Sequence, residues 1–334
     1  MRLPRLIVFD MDGVIIDVSR SYRDTVRETA KLFFKGARSW KTLPDPLFSL
    51  SDLASVKQSG GLNNDWDLSF LVICLLYSLV SKSKTSDDRD TWQRYQKTIT
   101  HCDVKALTQF LRSTDIPLST MLEQKGKIKD EFIASLYRGD VGSGNIIKQI
   151  FQEIYLGKDL FESTYGIPVK VYRNEGYINR EKLLIDKSVL SSLSKDNILA
   201  IATGRPKAEA YYPLDFFELK DFFSIIYTLD DCLMEEKRIL HEKGNKVSLS
   251  KPNPFMLDAI AETNSREISK LYYVGDMPDD MIAASRSKAG FIGVGILISS
   301  PEKDNLKKEL VRAGADYIIE DIEELKRIIK YKIF

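Results

Sequence analysis

From about Asn197 to the end, the chain repeats one rhythm, a short apolar run followed by a segment of helical period. ILAIATG (198–204) leads to a helix after Pro206, and SIIYTL (224–229) leads to NPFMLDAIAET (253–263). LYYVGD (271–276) leads to PDDMIAASRSKA (278–289), FIGVG (291–295) to a helix near 302–312, and YII (317–319) to a closing helix from Asp321. Strand then helix, repeated, predicts an α/β fold with a Rossmann-like parallel sheet flanked by helices. The N-terminal run Leu6, Ile7, Val8 and Phe9 is too short for a stable helix and reads as a strand of that same sheet, covered on both faces. It ends in Asp10 and Asp12, two carboxylates that repel one another and lose stability by desolvation unless a cation or a hydrogen-bonding shell faces them.

Between that first strand and the alternating region lies a stretch of different character. From Ser19, a plausible N-cap, Tyr22, Val26, Ala30 and Phe33 or Phe34 recur at helical spacing. Helices are predicted near 66–82, 88–99, 103–113, 121–137 and 144–156, separated by breakers such as Pro44-Asp45-Pro46, Gly60-Gly61, Ile116-Pro117 and Gly139 to Gly144. The expected organisation is a sheet domain of 1–17 and 186–334, interrupted by a helical domain of 18–185. No internal repeat or low-complexity tract interrupts either.

Charge balance narrows the partners. With 49 Lys+Arg against 48 Asp+Glu, the chain has no global attraction to nucleic acid or to an anionic membrane. Cys74, Cys102 and Cys232 are spaced like neither a zinc site nor a disulfide framework, and a reducing, cytoplasmic compartment is expected. No signal-peptide pattern precedes the first strand, and the most apolar stretch, Leu68 to Val80, is shorter than the roughly 20 residues of a membrane span. It reads as a buried core helix. His101 and His241 have no neighbours that suggest a metal site or a triad.

In open parallel sheets, ligands bind beyond the carboxyl ends of the strands. The first strand delivers Asp10 and Asp12, ILAIA delivers Thr203, Gly204 and Arg205, and LYYV delivers Gly275 and the acids Asp276, Asp279 and Asp280. Lys251 precedes the turn Pro252-Asn253-Pro254 that opens a helix, and its Pro neighbour favours it over Lys243 and Lys246. Such a set suits phosphoryl transfer. A carboxylate can act as nucleophile and form an acyl phosphate, which suits Asp10. Asp10 and Asp276 could hold an octahedral Mg²⁺ through oxygen ligands. Asp12 could protonate a leaving alcohol and then activate water, while Thr203, the neighbouring backbone N–H groups and Lys251 could bind phosphoryl oxygens.

DMDGV, ATG, KPNP and GDMPDD, in this order and each at a strand end or helix start, resemble the four motifs of the haloacid dehalogenase superfamily. The resemblance covers roughly 1–17 and 186–334. It implies a nucleophile and metal ligand at Asp10, and an acid/base at Asp12 whose backbone carbonyl also meets the metal. It implies phosphoryl binding by Thr203, Gly204 and Lys251, and a metal site completed by Asp276 and Asp280, with Asp279 competing for the last role. Members of the family carry a cap domain after the first motif or between the second and third. The interval from Thr203 to Lys251 is too short for one, so the insertion after Asp12 is the expected cap, helical but longer than usual, in the branch of phosphoglycolate phosphatase-like enzymes and β-type phosphoglucomutases.

The implied function is a Mg²⁺-dependent phosphatase that hydrolyses a small phosphorylated metabolite through a phospho-aspartyl intermediate. A phosphomutase would share every named residue and differ in excluding water from the intermediate. A dehalogenase would leave Asp12 without an alcohol to protonate, and a phosphonate hydrolase would need a cap lysine of distinctive context. A binding or regulatory role of the same fold would be favoured by loss of a catalytic residue, and none is lost. Nucleic-acid processing would call for a dense basic stripe with interleaved aromatics, which the insertion lacks. A substrate contact is expected from Arg205, beside the phosphate motif, while Arg20, on the helix after Asp12, either meets an anionic group of the substrate or belongs to a solvated helix face. In KQSGGLNNDWDLSF (57–70), Asn64 and Asp65 either reach the substrate or cap the helix they precede.

Overall fold

A computed structural model describes residues 3–60, 64–81, 85–263, 267–300 and 302–330. Gly61 and Asn63 of the expected substrate loop lie outside the described residues. The chain divides into two compact units, 1–18 with 181–334, and 19–180.

The first unit is built on β1 (Arg5–Phe9), β2 (Ile16–Asp17), β3 (Lys182–Leu183), β4 (Asn197–Ala202), β5 (Ile225–Tyr227), β6 (Leu271–Gly275), β7 (Ile292–Ile296) and β8 (Tyr317–Ile319). Six of these form one parallel sheet in the order β5-β4-β1-β6-β7-β8, while β2 and β3 pair antiparallel as a separate ribbon. β1 is central, and Leu6, Ile7, Val8 and Phe9 are fully buried, as an apolar run covered on both faces requires. Ile7 and Phe9 face a core with Leu199, Ile201, Val274 and Leu190, whereas Leu6 and Val8 face Ala200, Leu257, Ile260 and Tyr273 on the other side. Phe9 lies opposite both Ile201 and Val274, so the residues that follow β1, β4 and β6 emerge together at one edge. Residues 181–185, which the sequence reading assigns to the insertion, belong with this unit. Leu183 pairs with Ile16, and Ile185 is buried in the core of Ile7 and Phe9.

The second unit holds α1 (Tyr22–Phe33), α2 (Leu50–Gly60), α3 (Asp65–Tyr77), α4 (Thr91–Thr100), α5 (Lys105–Ser113), α6 (Pro117–Lys125), α7 (Glu131–Ser135) and α8 (Ile146–Tyr165). The most apolar of them, α3, is buried at Leu68 and from Leu71 through Tyr77, as a core helix should be. Tyr22 of α1 stacks on Tyr155 of α8 at 4.3 Å between ring centroids. Some details depart from the sequence reading, which places no helix at α2 and ends the one at α8 near 156. The position before α1 is Ser21, not Ser19, and the single helix expected at 121–137 is divided into α6 and α7, because Gly126 adopts a positive φ of 66° after Lys125. No described helix is long and apolar enough to cross a membrane.

The remaining helices flank the sheet: α9 (Lys187–Ser194), α10 (Lys207–Phe216), α11 (Leu229–Lys243), α12 (Phe255–Thr263), α13 (Pro278–Arg286), α14 (Lys303–Arg312) and α15 (Glu323–Lys330). The segment before Lys251 includes α11, which buries Cys232 against the sheet.

Candidate active site

At the carboxyl edge of β1, the backbone N–H of Asp10 donates to the Val274 carbonyl at 2.9 Å, and its Oδ1 accepts from the Met11 N–H at 2.8 Å. The chain then turns tightly, with Ile15 and Ile16 N–H groups returning to the Met11 carbonyl at 2.8 and 2.9 Å. Gly13 sits in this turn with φ +70°, and a Cβ there would lie 1.9 Å from Asp276 Oδ2. Only glycine therefore lets the turn pass the β6 carboxylate.

From the other side, Lys251 bridges two acids, its Nζ lying 2.8 Å from Asp10 Oδ1 and 2.8 Å from Asp280 Oδ1. Asp280 is the N3 residue of α13, and its Oδ2 accepts from the Met277 N–H at 3.0 Å in a capping box. Its Oδ1 also accepts from the Tyr273 hydroxyl at 2.8 Å. Asp276 is held by the Ser299 hydroxyl, 3.0 Å from Oδ2. The carboxylates of Asp10, Asp276 and Asp280 can each offer an oxygen within 4.8 Å of the others. Of the two competing acids, it is Asp280 and not Asp279 that joins them. The Asp12 carboxylate turns instead to Arg205 Nε at 2.6 Å.

Charge in this cluster is unbalanced. Burial, with repulsion from Asp280 and Asp12, pushes the Asp10 carboxyl up to about 7 despite the attraction of Lys251. Burial and the neighbouring Asp280 and Asp10 hold the Asp276 carboxyl well above its ordinary range. Burial by itself would lower the Lys251 ammonium, but Asp10 and Asp280 outweigh it and keep the lysine charged. Two buried carboxylates, Asp10 and Asp280, and a half-buried one, Asp276, cluster beside one ammonium, and a hard divalent cation with oxygen preference is the group that such a donor set fits.

Thr203 follows β4 at the same edge, its N–H donating to the Tyr227 carbonyl at 3.0 Å, and Gly204 after it is exposed with open space where a Cβ would stand. Arg205 departs from expectation. Its side chain is 1% exposed, and its guanidinium donates to Asp12, to both Glu181 oxygens and to the Glu209 carbonyl. That leaves it no face for a substrate, so its expected substrate contact is corrected to an internal one. Asn64 and Asp65 likewise work inside the helical unit. Asn64 caps α3, accepting from the Asp67 N–H at 2.7 Å, and Asp65 pairs with Lys57 at 2.9 Å. Arg20, with a side chain 66% exposed, pairs with Asp24 at 3.1 Å and lines a cleft of that unit with Arg27, Glu28, Lys31 and Arg180.

Sequence reading missed Tyr273, Ser299 and Glu181. Tyr273 lies within an apolar strand and reads as core, and Glu181 stands in the return segment from the insertion, far from any motif. Ser299 follows β7, next to β6 in the sheet, and the strand-end rule carried one strand further would have found it.

The fold is shared with solved structures. A structural-genomics target determined by X-ray crystallography superposes with a TM-score of 0.65 at 23% identity, covering 98% of each chain. A phosphatase from Thermococcus thioreducens gives 0.52 at 18% identity, over 92% of this chain and 99% of its own. A search of curated proteins finds no match. The sequence matches the family model of haloacid dehalogenase-like hydrolases over residues 4–288, and the chain belongs to that family.

Proposed function

We propose that the protein is a Mg²⁺-dependent phosphatase acting on a small phosphorylated metabolite through a phospho-aspartyl intermediate at Asp10. The observation that carries this reading is the buried cluster in which Lys251 bridges Asp10 and Asp280 at 2.8 Å while Asp276 lies within reach of both. A nucleophilic carboxylate, a phosphate-binding cation and a hard-cation site coincide there, at the strand edge where ligands of parallel sheets bind.

Asp10 and Asp276 would hold Mg²⁺ by their carboxylates, with the Asp12 backbone carbonyl, and Asp280 would support them. When bound, the ion supplies neutralisation of the phosphoryl oxygens. Both Asp280 oxygens already accept hydrogen bonds within the protein, from Tyr273 and Met277, so its part is to orient Lys251 and the acidic site. Thr203, the Gly204 backbone and Lys251 bind the phosphoryl group. In the first step an Asp10 oxygen bonds to phosphorus, the ester P–O bond breaks, and its electron pair goes to the leaving oxygen, which takes the proton of Asp12. In the second, a water oxygen bonds to phosphorus, its proton passes to Asp12, and the bond from phosphorus to Asp10 breaks to restore the carboxylate.

The helical unit, 19–180, serves as the cap that selects the ester. A cytoplasmic location is supported by three cysteines that form no disulfide. The test is release of inorganic phosphate from a panel of metabolite phosphates, with and without Mg²⁺, for the wild type and Asp10→Asn. Release that requires Mg²⁺ and is abolished by the substitution is expected; release that survives in Asp10→Asn removes Asp10 as nucleophile.

A further inference from the structure

Among the described residues, Arg205 is the largest fully buried side chain. A buried guanidinium is costly unless its donors are met, and here each of its three nitrogens donates to a partner. Nη1 and Nη2 donate to Glu181 Oε2 and Oε1, both at 3.1 Å, in a two-pronged pair, and Nη1 also donates to the Glu209 carbonyl at 3.0 Å. Glu181 is itself buried, with its side chain fully enclosed. Two parallel bonds fix the plane of the guanidinium, and a planar group held so has only one direction left for Nε–H. That direction ends on Asp12 Oδ1, at 2.6 Å. The Asp12 side chain is 35% exposed and would otherwise be able to turn toward solvent.

We propose that Arg205, clamped by Glu181, is a positioning residue for Asp12. It takes Oδ1 and so presents Oδ2 to the leaving oxygen and then to the attacking water. The assignment rests on the acid/base role of Asp12 proposed above. It moves Arg205 out of the substrate contacts and adds Glu181, which no motif contains. A purely structural alternative is that the Arg205–Glu181 pair only fastens the return segment to the sheet, in which case its loss would lower stability without selecting between the two chemical steps.

The two steps can be separated by the leaving group. An alkyl phosphate needs the proton of Asp12 in the first step, whereas p-nitrophenyl phosphate releases a phenolate that needs none; both need Asp12 in the second. Arg205→Lys keeps the charge and loses the fork, and Glu181→Gln keeps the shape and loosens the clamp. With the alkyl ester found in the panel above, Arg205→Lys is expected to lower kcat by about 10- to 100-fold with KM within about twofold. With p-nitrophenyl phosphate it should give a burst of about one phenolate per enzyme, followed by slow turnover as the phospho-enzyme accumulates. Glu181→Gln should show the same pattern more weakly, and it decides the matter if Arg205→Lys does not fold by circular dichroism. Equal losses on both esters without a burst, or a raised KM at unchanged kcat, would overturn the positioning role alone. A wild type that turns over neither ester with Mg²⁺ would overturn the phosphatase reading and this role with it.

Discussion

Replacing Asp10 by Asn should make the stability of the cation-free protein fall less as pH rises, although it removes the proposed nucleophile. The Asp10 carboxyl is raised from its ordinary 3.8 to about 7, chiefly by burial, then by repulsion from Asp280 and Asp12 in excess of the attraction from Lys251. A carboxyl raised on folding holds a proton in the native state that the unfolded chain has already released. Its contribution is complete below 3.8 and is lost as pH climbs to about 7, at about 1.4 kcal/mol per pH unit. Over the whole interval this amounts to about 4 kcal/mol, a large part of the stability of an ordinary domain. Lys251, raised in its turn, titrates far above this window and does not enter the difference. Asn is uncharged at every pH, so urea unfolding in EDTA should show the variant gaining about 3 kcal/mol on the wild type between pH 5 and pH 8. Mg²⁺ at about 100 times its dissociation constant should return about 2.7 kcal/mol to the wild type at pH 8, and less to the variant. Parallel pH curves for the two proteins, or equal stabilisation of both by Mg²⁺, would refute the claim that unbalanced charge at Asp10 is what the cation relieves.

Two further substitutions probe the walls of the site. Gly13→Ala puts a Cβ 1.9 Å from Asp276 Oδ2 at a φ of +70°, so the turn or the carboxylate must move, and phosphate release should fall at least about 100-fold with the fold retained by circular dichroism. Activity within a few-fold of wild type would show that this turn does not set the acidic site. Tyr273→Phe removes the hydroxyl 2.8 Å from Asp280 Oδ1 and should raise the Mg²⁺ concentration for half-maximal activity by about 10-fold. An unchanged Mg²⁺ response, measured in the same assay, would leave Tyr273 with packing alone.

The parts of this molecule that could be read from sequence are those whose signal is local. β1, β4 and β6 announce themselves as apolar runs, and Asp10, Thr203 and Asp276 mark where each one stops, so parallel pairing alone brings them together. Lys251 is legible through the turn that follows it. What was not legible depends on burial or on long-range topology. Arg205 follows Thr203 and Gly204 at a strand end, where an arginine suggests an anion; only the fold reveals that its side chain is enclosed and held by internal partners. Tyr273 cannot be told from core until α13 brings Asp280 against its hydroxyl. In the helical unit, Asn64 had two readings, and the structure realises the local one, a cap on α3.

The insertion's point of entry becomes intelligible from the same contacts. The chain leaves the sheet unit after Val18 and re-enters it at Glu181, and the outgoing β2 and returning β3 pair antiparallel, with Ile16 opposite Leu183 and Asp17 opposite Lys182. A two-stranded ribbon of this length is not stable alone; here it is supported by the burial of Ile15, Ile16 and Ile185 in the core of the sheet unit. Arg205 then ties one side of the ribbon's base to the other, Asp12 on the outgoing strand side and Glu181 on the returning one. The segments that lead out of the sheet unit and back into it are thereby joined at their base within that unit.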